Sequence, residues 1–242
     1  MEERDPGTPA RRYRKLSVVV PVYDERNTIV EVLRRMRAVR LPDGLDLEIV
    51  IVDDGSTDGT REVLSQLGDS TVRVVYHGEN RGKGAAVRTG FANVTGDMVL
   101  IQDADLEYDP EDWPRLINPM LSGKAEVVYG SRFTGERRNM LFFHWMGNRF
   151  LSLVTNVLYN TTLSDMETCY KLFDRRVIDS LTLRADRFDI EPEMTAKVLR
   201  RRIRIYEVPI SYAGREFDEG KKITWRDGFS ALWTLIKYRV VD

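Results

Sequence analysis

Apolar residues in the first half of the chain form short continuous runs, and these runs alternate with segments in which apolar residues recur at helical spacing. A strand that is covered on both faces has no polar alternation, so the runs at 16–20 and 98–101 predict buried strands, and 45–52 and 72–76 predict two further strands. The segments between them predict helices at 27–39, 57–67 and 83–93. Strands that alternate with helices of this length are typical of α/β proteins with a mainly parallel sheet.

The second half of the chain is less regular. Its apolar spacing predicts helices at 110–121, 143–159, 191–200 and 225–238. Short apolar runs predict strands at 126–129 and 203–208, while 166–173 is left open between strand and loop. Since no repeat or low-complexity linker interrupts the chain, we expect one domain over 15–242, preceded by a flexible tail over 1–14.

Polar, glycine-containing segments follow the first four predicted strands. The carboxyl ends of parallel strands share one edge of the sheet, where α/β proteins bind ligands. The segments are PVYDE at 21–25, DDGSTDG at 53–59, GENRGKG at 78–84 and DAD at 103–105. The chain has neither a GxGxxG fingerprint after the first strand nor a GxxxxGK[ST] loop, which disfavours dinucleotide dehydrogenases and P-loop nucleotide hydrolases.

Three carboxylates, those of Asp103, Asp105 and Glu107, close the fourth predicted strand. In extended backbone, alternate side chains point the same way, so the three can converge. Clustered carboxylates repel one another unless a cation lies between them, and oxygen ligands suit Mg²⁺ or Mn²⁺. A solvated acidic turn is the alternative, since a lone D-x-D pair is common.

Composition narrows the function only a little. The chain has 242 residues, 42% of them hydrophobic, and a net charge of -1, which gives no reason to expect nucleic acid as a partner. The single cysteine, Cys169, excludes an intrachain disulfide and fits a cytosolic setting, where it serves most simply as a buried apolar filler. Basic clusters at 11–15 and 200–204 are more typical of solvated faces than of a membrane-binding surface.

Together these motifs resemble the inverting family-2 glycosyltransferases of the GT-A fold. Within that family the resemblance is to polyprenyl-phosphate hexosyltransferases, namely dolichyl-phosphate mannose synthases, dolichyl-phosphate glucosyltransferases and bacterial undecaprenyl-phosphate relatives. It covers residues 16–238 and rests on five motifs in the expected order. It implies a Rossmann-like three-layer α/β/α sandwich. It also implies metal-dependent, inverting transfer of mannose or glucose from a nucleotide-diphosphate sugar to a polyprenyl phosphate.

The resemblance also implies a donor site. Its expected members are Pro21, Tyr23, Glu25, Val52, Asp53, Asp54, Lys83, Asp103, Ala104, Asp105, Arg215 and Lys222. Asp103 and Asp105, with Glu107, would hold the divalent ion, Mg²⁺ or Mn²⁺, on the donor diphosphate. The glycines around Lys83 would let backbone approach a ligand. Glu107 replaces a glutamine that is frequent in mannose synthases, which leaves the donor open between GDP-mannose and UDP-glucose.

The acceptor site implied by the resemblance contains two arginines and an aspartate. Arg132, in a GSR segment, and Arg149, in an NR pair, would bind the lipid phosphate, since guanidinium groups suit phosphate oxygens. Arg149 is alternatively a surface arginine whose stem covers the helix. Asp165 would face the sugar. It would only orient hydroxyls if the acceptor is an anionic phosphate, and would be the base candidate if the acceptor is a hydroxyl.

A lipid acceptor implies contact with a membrane surface. Residues 140–159 have nearly the length of a membrane span, but His144, Asn148, Arg149 and Asn156 interrupt them, so an amphipathic helix fits better. This helix and the aromatic stretch 225–238 are the expected docking surface for a protein that is peripheral on the cytoplasmic face. The alternative is that they pack in the core or at a dimer contact, which leaves a homo-oligomer open.

Four other functions are alternatives. A family-2 enzyme with a saccharide or small-molecule acceptor is the nearest alternative. A sugar-nucleotide nucleotidyltransferase would need a glycine-rich basic loop after the first strand, which 21–25 does not supply, and the D-x-D pair disfavours a non-catalytic binding module. No QxxRW motif occurs near the end, which disfavours processive polymer synthesis.

Overall fold

The computed structural model describes residues 13–42, 44–67, 71–214 and 225–241, without the side chains of residues 225 and 226. Its strands are β1 (Lys15–Val22), β2 (Asp46–Asp53), β3 (Val72–Tyr76), β4 (Met98–Ile101), β5 (Val127–Ser131), β6 (Lys171–Asp174) and β7 (Ile205–Pro209). Its helices are α1 (Ile29–Ala38), α2 (Thr60–Ser65), α3 (Lys83–Asn93), α4 (Trp113–Leu121), α5 (Phe142–Tyr159), α6 (Arg175–Ser180), α7 (Ile190–Arg200) and α8 (Trp225–Val240). A 3₁₀ turn, Pro110–Asp112, leads into α4.

The described strands form one seven-stranded sheet in the order β3-β2-β1-β4-β6-β5-β7. The β1, β2, β3 and β4 ladders are parallel, and β5 pairs in parallel with β7. Strand β6 runs antiparallel to both of its neighbours, β4 and β5. The α/β class with a mainly parallel sheet, predicted from the alternating pattern, is therefore confirmed.

The core forms where the apolar runs predicted it. Val18, Val19 and Val20 in β1 have no exposed surface, which shows that both faces of the sheet are covered there. Helix α1 buries a stripe of residues at helical spacing, including Ile29 and Leu33, while Arg34 and Arg37 stay exposed. Each such apolar side chain contributes about 1.5–3 kcal/mol when it leaves water, which makes the sheet a rigid base for the loops at its edge.

The structure differs from the predicted boundaries at Pro21. Strand β1 continues through this residue, which pairs in register with Val52 of β2. The ladder with β4 has already ended at Val19, so no β4 residue pairs with Pro21. A proline is tolerated at such a position because it lacks only the amide hydrogen.

The structure differs from the predictions in two further places, at Tyr13 and at helix α6. Most of the tail expected over 1–14 lies outside the described residues, but Tyr13 is buried and its hydroxyl donates to Asp174 at 3.1 Å. Helix α6 was not predicted. It begins directly after Asp174, whose side chain accepts the amide hydrogen of Arg176 at 2.8 Å and so caps the helix.

Helices α5 and α8 pack on each other around a small second cluster, formed by Leu151, Met166, Ala231 and Leu235. The hydroxyl of Tyr159 in α5 donates to the carbonyl of Leu235 at 2.7 Å. None of the described helices is long and apolar enough to cross a membrane.

Candidate active site

The loops that follow β1 and β2 are bound to each other at the carboxyl edge of the sheet. The amide of Asp24 donates to Ser56 Oγ at 3.0 Å, and Asp24 Oδ1 accepts the amide hydrogen of Thr57 at 2.8 Å. Asp24 has a φ of 51°, a left-handed conformation that aspartate tolerates better than most residues. Tyr23 is half-buried on this loop, while Glu25 accepts the Thr28 hydroxyl at 2.7 Å in the first turn of α1.

The two aspartates that end β2 are buried and bound to neighbouring loops. Asp53 pairs with Arg61 at 2.6 Å. Asp54 accepts the amide hydrogens of Arg81 and Gly82 at 3.0 and 2.7 Å and lies 2.7 Å from His77 Nδ1. These contacts hold the 78–84 loop against the end of β2. A direct contact of Val52, Asp53 or Asp54 with a nucleotide stays a prediction.

Packing against another segment requires glycine at two positions of the NRGKG segment, and the sequence did not reveal this requirement. Gly82 has a φ of 97°, and a Cβ atom there would collide with the carbonyl oxygen of Asp186. A Cβ at Gly84 would collide with the carbonyl oxygen of Ala185. The close approach is therefore to the backbone of the 185–186 segment, and it places Lys83 at the start of α3.

A chain of alternating charges runs from the D-x-D segment to the residues before β6. Lys83 Nζ lies 2.8 Å from Asp103 Oδ1 and 3.3 Å from Glu191 Oε1, the latter without hydrogen-bond alignment. Glu191 Oε2 lies 2.6 Å from Lys171 Nζ, which also donates to the carbonyls of Met166 and Thr168. Burial alone lowers the pKa of Lys83, but the carboxylates of Asp103 and Glu191 outweigh it and raise that pKa well above its ordinary value.

The three carboxylates after β4 have different partners. Asp105 is buried, and its Oδ1 accepts the amide hydrogen of Glu107 at 3.1 Å. Glu107 accepts the Tyr212 hydroxyl at 2.8 Å. Among the described residues, no group of three or more histidine, cysteine or carboxylate side chains has the geometry to hold a metal ion. The described residues therefore do not by themselves bring the three carboxylates together at one point, as the sequence had led us to expect.

Asp103 and Asp105 nevertheless have the chemistry that a divalent cation needs. Both supply carboxylate oxygens, the ligands that Mg²⁺ and Mn²⁺ prefer, shortly after β4. In proteins, Mg²⁺ is usually bound by one or two carboxylates, and substrate phosphates and water supply its other ligands. Two protein carboxylates are therefore sufficient to bind it. The role of Asp103, Asp105 and Glu107 as metal ligands stays a prediction.

Arg132 and Asp165 form a buried ion pair after β5. Both Nε and Nη2 of Arg132 lie 2.7 Å from the carboxylate, which also accepts the Arg132 amide hydrogen at 2.9 Å. Burial alone lowers the pKa of Arg132, but Asp165 outweighs it and raises that pKa well above its ordinary value. The sequence placed both residues in the acceptor site, but it did not reveal that they bind each other.

Arg149 lies near this pair. It is exposed on α5, its Nη1 donates to the carbonyl of Ser164 at 3.3 Å, and its guanidinium lies 5.6 Å from the centre of the Phe133 ring. Glu207 of β7 accepts the amide hydrogens of Ser164 and Asp165, which fixes the segment that carries Asp165. The expected loop residues Arg215 and Lys222 lie outside the described residues.

Several polar residues in this region were not predicted to belong to it. They are Glu167, Lys171, Glu191, Glu207, Tyr212 and Arg137. One local signal existed, since Lys171 interrupts an apolar strand segment and is fully buried. Burial raises the pKa of Glu167 to about 7, and its Oε1 has no hydrogen-bond partner among the described residues.

The α/β fold with its mostly parallel seven-stranded sheet matches that of GT-A glycosyltransferases. The family described as "Glycosyl transferase family 2" matches residues 17–182, more than half of the chain. The chain belongs to this family. The family and fold that the motifs predicted are confirmed.

A curated relative supports the same family. The undecaprenyl-phosphate 4-deoxy-4-formamido-L-arabinose transferase of Enterobacter sp. (strain 638) is 32% identical over 220 residues. The match covers 88% of this chain and 64% of that protein, so the chain spans less than two thirds of its relative's length.

Similar solved structures come from Mycobacterium tuberculosis. Glucosyl-3-phosphoglycerate synthase in complex with Mn²⁺, UDP and glucosyl-3-phosphoglycerate has a TM-score of 0.72 and 23% identity, covering 95% of this chain and 81% of that one. The same enzyme with Mn²⁺ and UDP-glucose gives a TM-score of 0.72 and 23% identity, covering 95% and 80%. At this identity the likeness shows the fold.

Proposed function

We propose that the protein transfers a hexose, with inversion, from a nucleotide-diphosphate sugar to a polyprenyl phosphate. The observation that carries the proposal is the position of Arg132 and Arg149, two guanidinium groups beside an exposed apolar helix face. A lipid phosphate has the matching chemistry, an anionic head on an apolar tail. The name of the Enterobacter relative, which specifies undecaprenyl phosphate, supports this acceptor class.

The donor belongs at the edge formed by the loops after β1, β2, β3 and β4. Tyr23 offers a ring face for the base there, and Lys83 offers a positive charge for the phosphates. Asp103 and Asp105 would hold Mg²⁺ or Mn²⁺, which when bound stabilises the negative charge that builds on the leaving diphosphate. The Mycobacterium tuberculosis structures with Mn²⁺ and UDP-glucose support a donor and an ion of these classes.

In the proposed reaction an acceptor phosphate oxygen forms a bond to the anomeric carbon, and the bond from that carbon to the donor diphosphate breaks. The phosphate is already anionic at pH 7, so no proton has to be removed. Asp165 is committed to Arg132 by two hydrogen bonds, which favours a positioning role over that of a base. This feature supports a phosphate acceptor over a neutral hydroxyl.

The same proposal gives α5 and α8 a role at a lipid surface. Phe143, Leu153 and Val157 of α5 are 77%, 59% and 75% exposed, and Phe229 and Trp233 of α8 are 67% and 65% exposed. Burying such side chains at a membrane interface is favourable, and tryptophan suits the headgroup region. We therefore propose that the protein binds the cytoplasmic face of a membrane peripherally through these two helices.

A panel of donors and acceptors tests the proposal. The protein is incubated with GDP-mannose, UDP-glucose or another UDP-sugar, together with a short prenyl phosphate and Mg²⁺ or Mn²⁺. The products are separated into lipid and water-soluble fractions and identified by mass spectrometry. We expect a prenyl phosphate carrying one hexose. If 3-phosphoglycerate or a saccharide is glycosylated while every prenyl phosphate is left unchanged, the alternative of a small-molecule acceptor is correct.

A further inference from the structure

Three arginines surround the ring of Phe133. The guanidinium carbons of Arg132, Arg137 and Arg149 lie 5.9, 5.7 and 5.6 Å from the ring centre. Cation–π attraction to one ring is worth about 0.5–1 kcal/mol at an exposed site, less than is needed to hold three like charges together by itself. The arrangement therefore suits an anion that binds among them.

Only part of this positive charge is neutralised within the described residues. Arg132 is paired with Asp165. Arg137 donates through Nη1 to the carbonyls of Arg132 and Phe133, and Arg149 donates to the carbonyl of Ser164. Since carbonyl oxygens carry no net charge, the positive charges of Arg137 and Arg149 remain available to a ligand.

The backbone on either side of Arg137 is held in place. The amide of Arg138 donates to the carbonyl of Tyr212 at 2.9 Å, and the amide of Tyr212 donates to the carbonyl of Glu136 at 3.0 Å. The Tyr212 ring lies 5.3 Å from the guanidinium of Arg132. Arg137 is thus connected to the Arg132–Asp165 pair through Tyr212, although its side chain is exposed.

The apolar surface begins next to these arginines. Leu141, Phe142 and Phe143 are 52%, 64% and 77% exposed, and α5 starts at Phe142. A ligand with a charged head among the arginines can therefore lay an apolar tail along α5. This continuity links the arginine cluster to the acceptor rather than to the donor.

We propose that Arg137 is a third phosphate-binding residue of the acceptor site, and that the three arginines select a phosphate monoester over a phosphodiester. The inference rests on the proposed function. A monoester carries about -1.5 to -2 charges at pH 7. The product, in which the phosphate is esterified on both sides, carries one negative charge. Transfer of the sugar therefore weakens the attraction to the cluster, which favours release of the product.

Binding measurements on Arg137→Gln, Arg137→Lys and the wild type test this inference. The ligands are a short prenyl phosphate and its methyl diester, and the matched control is Arg34→Gln, which removes an exposed arginine from α1. We expect the wild type to prefer the monoester by about tenfold and Arg137→Gln to lose about tenfold in monoester affinity, with a smaller loss for the diester. Arg137→Lys should recover part of the loss, and KM for the donor sugar should not change.

Two results would overturn the inference: monoester affinity within about twofold of the wild type, or equal losses for monoester and diester. The first of these, together with undiminished sugar transfer to prenyl phosphate, would reject the role of Arg137 and leave the proposed function standing. The opposite combination of results can also be interpreted. Arg137-dependent monoester binding without any lipid glycosylation would reject the proposed function and retain the phosphate site.

Discussion

Arg132 and Asp165 meet at two points, with Nε and Nη2 each 2.7 Å from a carboxylate oxygen, and the Asp165 side chain has no exposed surface. A buried charge that loses its partner costs far more than an exposed one. The pair is therefore a structural support of the site as well as part of it.

Replacing Asp165 by alanine should destabilise the protein by about 3–5 kcal/mol, because the guanidinium of Arg132 would remain buried without its carboxylate. The double variant Asp165→Ala/Arg132→Met should recover part of this loss. Urea denaturation provides the free energies of unfolding. The matched control is Asp179→Ala, which breaks the exposed pair with Arg175 and should cost at most about 1 kcal/mol. Equal costs for the two single variants would contradict a buried pair.

Asp105→Asn should reduce sugar transfer at saturating Mg²⁺ or Mn²⁺ by about 10²-fold or more, because the amide oxygen is a poorer ligand for a hard cation and carries no charge. Initial rates over a range of ion concentrations measure the effect. Asp179→Asn serves as the control and should retain wild-type rates. Near-normal turnover of Asp105→Asn would remove this residue from the metal site.

Phe143→Ser/Leu153→Ser should weaken binding to phospholipid vesicles by at least tenfold, since a large apolar side chain contributes about 1.5–3 kcal/mol on leaving water. Co-sedimentation with vesicles that contain anionic lipid measures the bound fraction. Val30 of α1 is also exposed, at 55%, so Val30→Ser is a matched control that should bind as the wild type does. If both variants bind vesicles equally well, α5 does not contact the membrane.

Glu167 should make stability depend on pH. Burial raises the pKa of this carboxyl from 4.5 to about 7 in the folded protein. The folded state thus keeps a proton that the unfolded chain loses, so its stability falls as the pH rises from 4.5 to about 7 and then stays level.

Glu167→Gln cannot lose that proton. Its free energy of unfolding should match that of the wild type near pH 4.5 and exceed it above pH 7, by up to about 3 kcal/mol. Thermal or urea unfolding at several pH values measures the difference. Glu62→Gln, on the exposed face of α2, is the control for removing a carboxyl group. A pH-independent effect of Glu167→Gln would contradict the raised pKa.

The sequence predicted the first half of the fold well because its signals are local. The bounds of β3, β4 and α3 agree with the predictions residue for residue, since polar or glycine-containing segments lie on both sides of each element. Strand β6 was harder to recognise. Lys171 gives it a polar position, and the carboxylate that compensates this charge, Glu191, lies in a different helix.

In the candidate site too, features with a local signal were predictable and contacts between distant segments were not. Motif order placed Asp103, Asp105 and Arg132 at the carboxyl ends of β4 and β5, where they lie, because each follows its strand within a few residues. Contacts between distant segments were not visible in the sequence. The pairing of Arg132 with Asp165, and the collision that requires glycine at position 82 opposite Asp186, depend on tertiary packing.

The reversed direction of β6 determines which residues reach the edge of the sheet at which β4 and β5 end. In a parallel strand, the residues that follow it emerge there, as Asp103 does after β4. In β6, the residues that precede it emerge there instead, because Lys171 pairs with Tyr129 of β5 while Asp174 pairs with Met98 at the opposite end of β4. Turned the other way, this strand would carry Asp165 about 13 Å away from Arg132, and the proposed donor and acceptor sites would lie at opposite edges of the sheet.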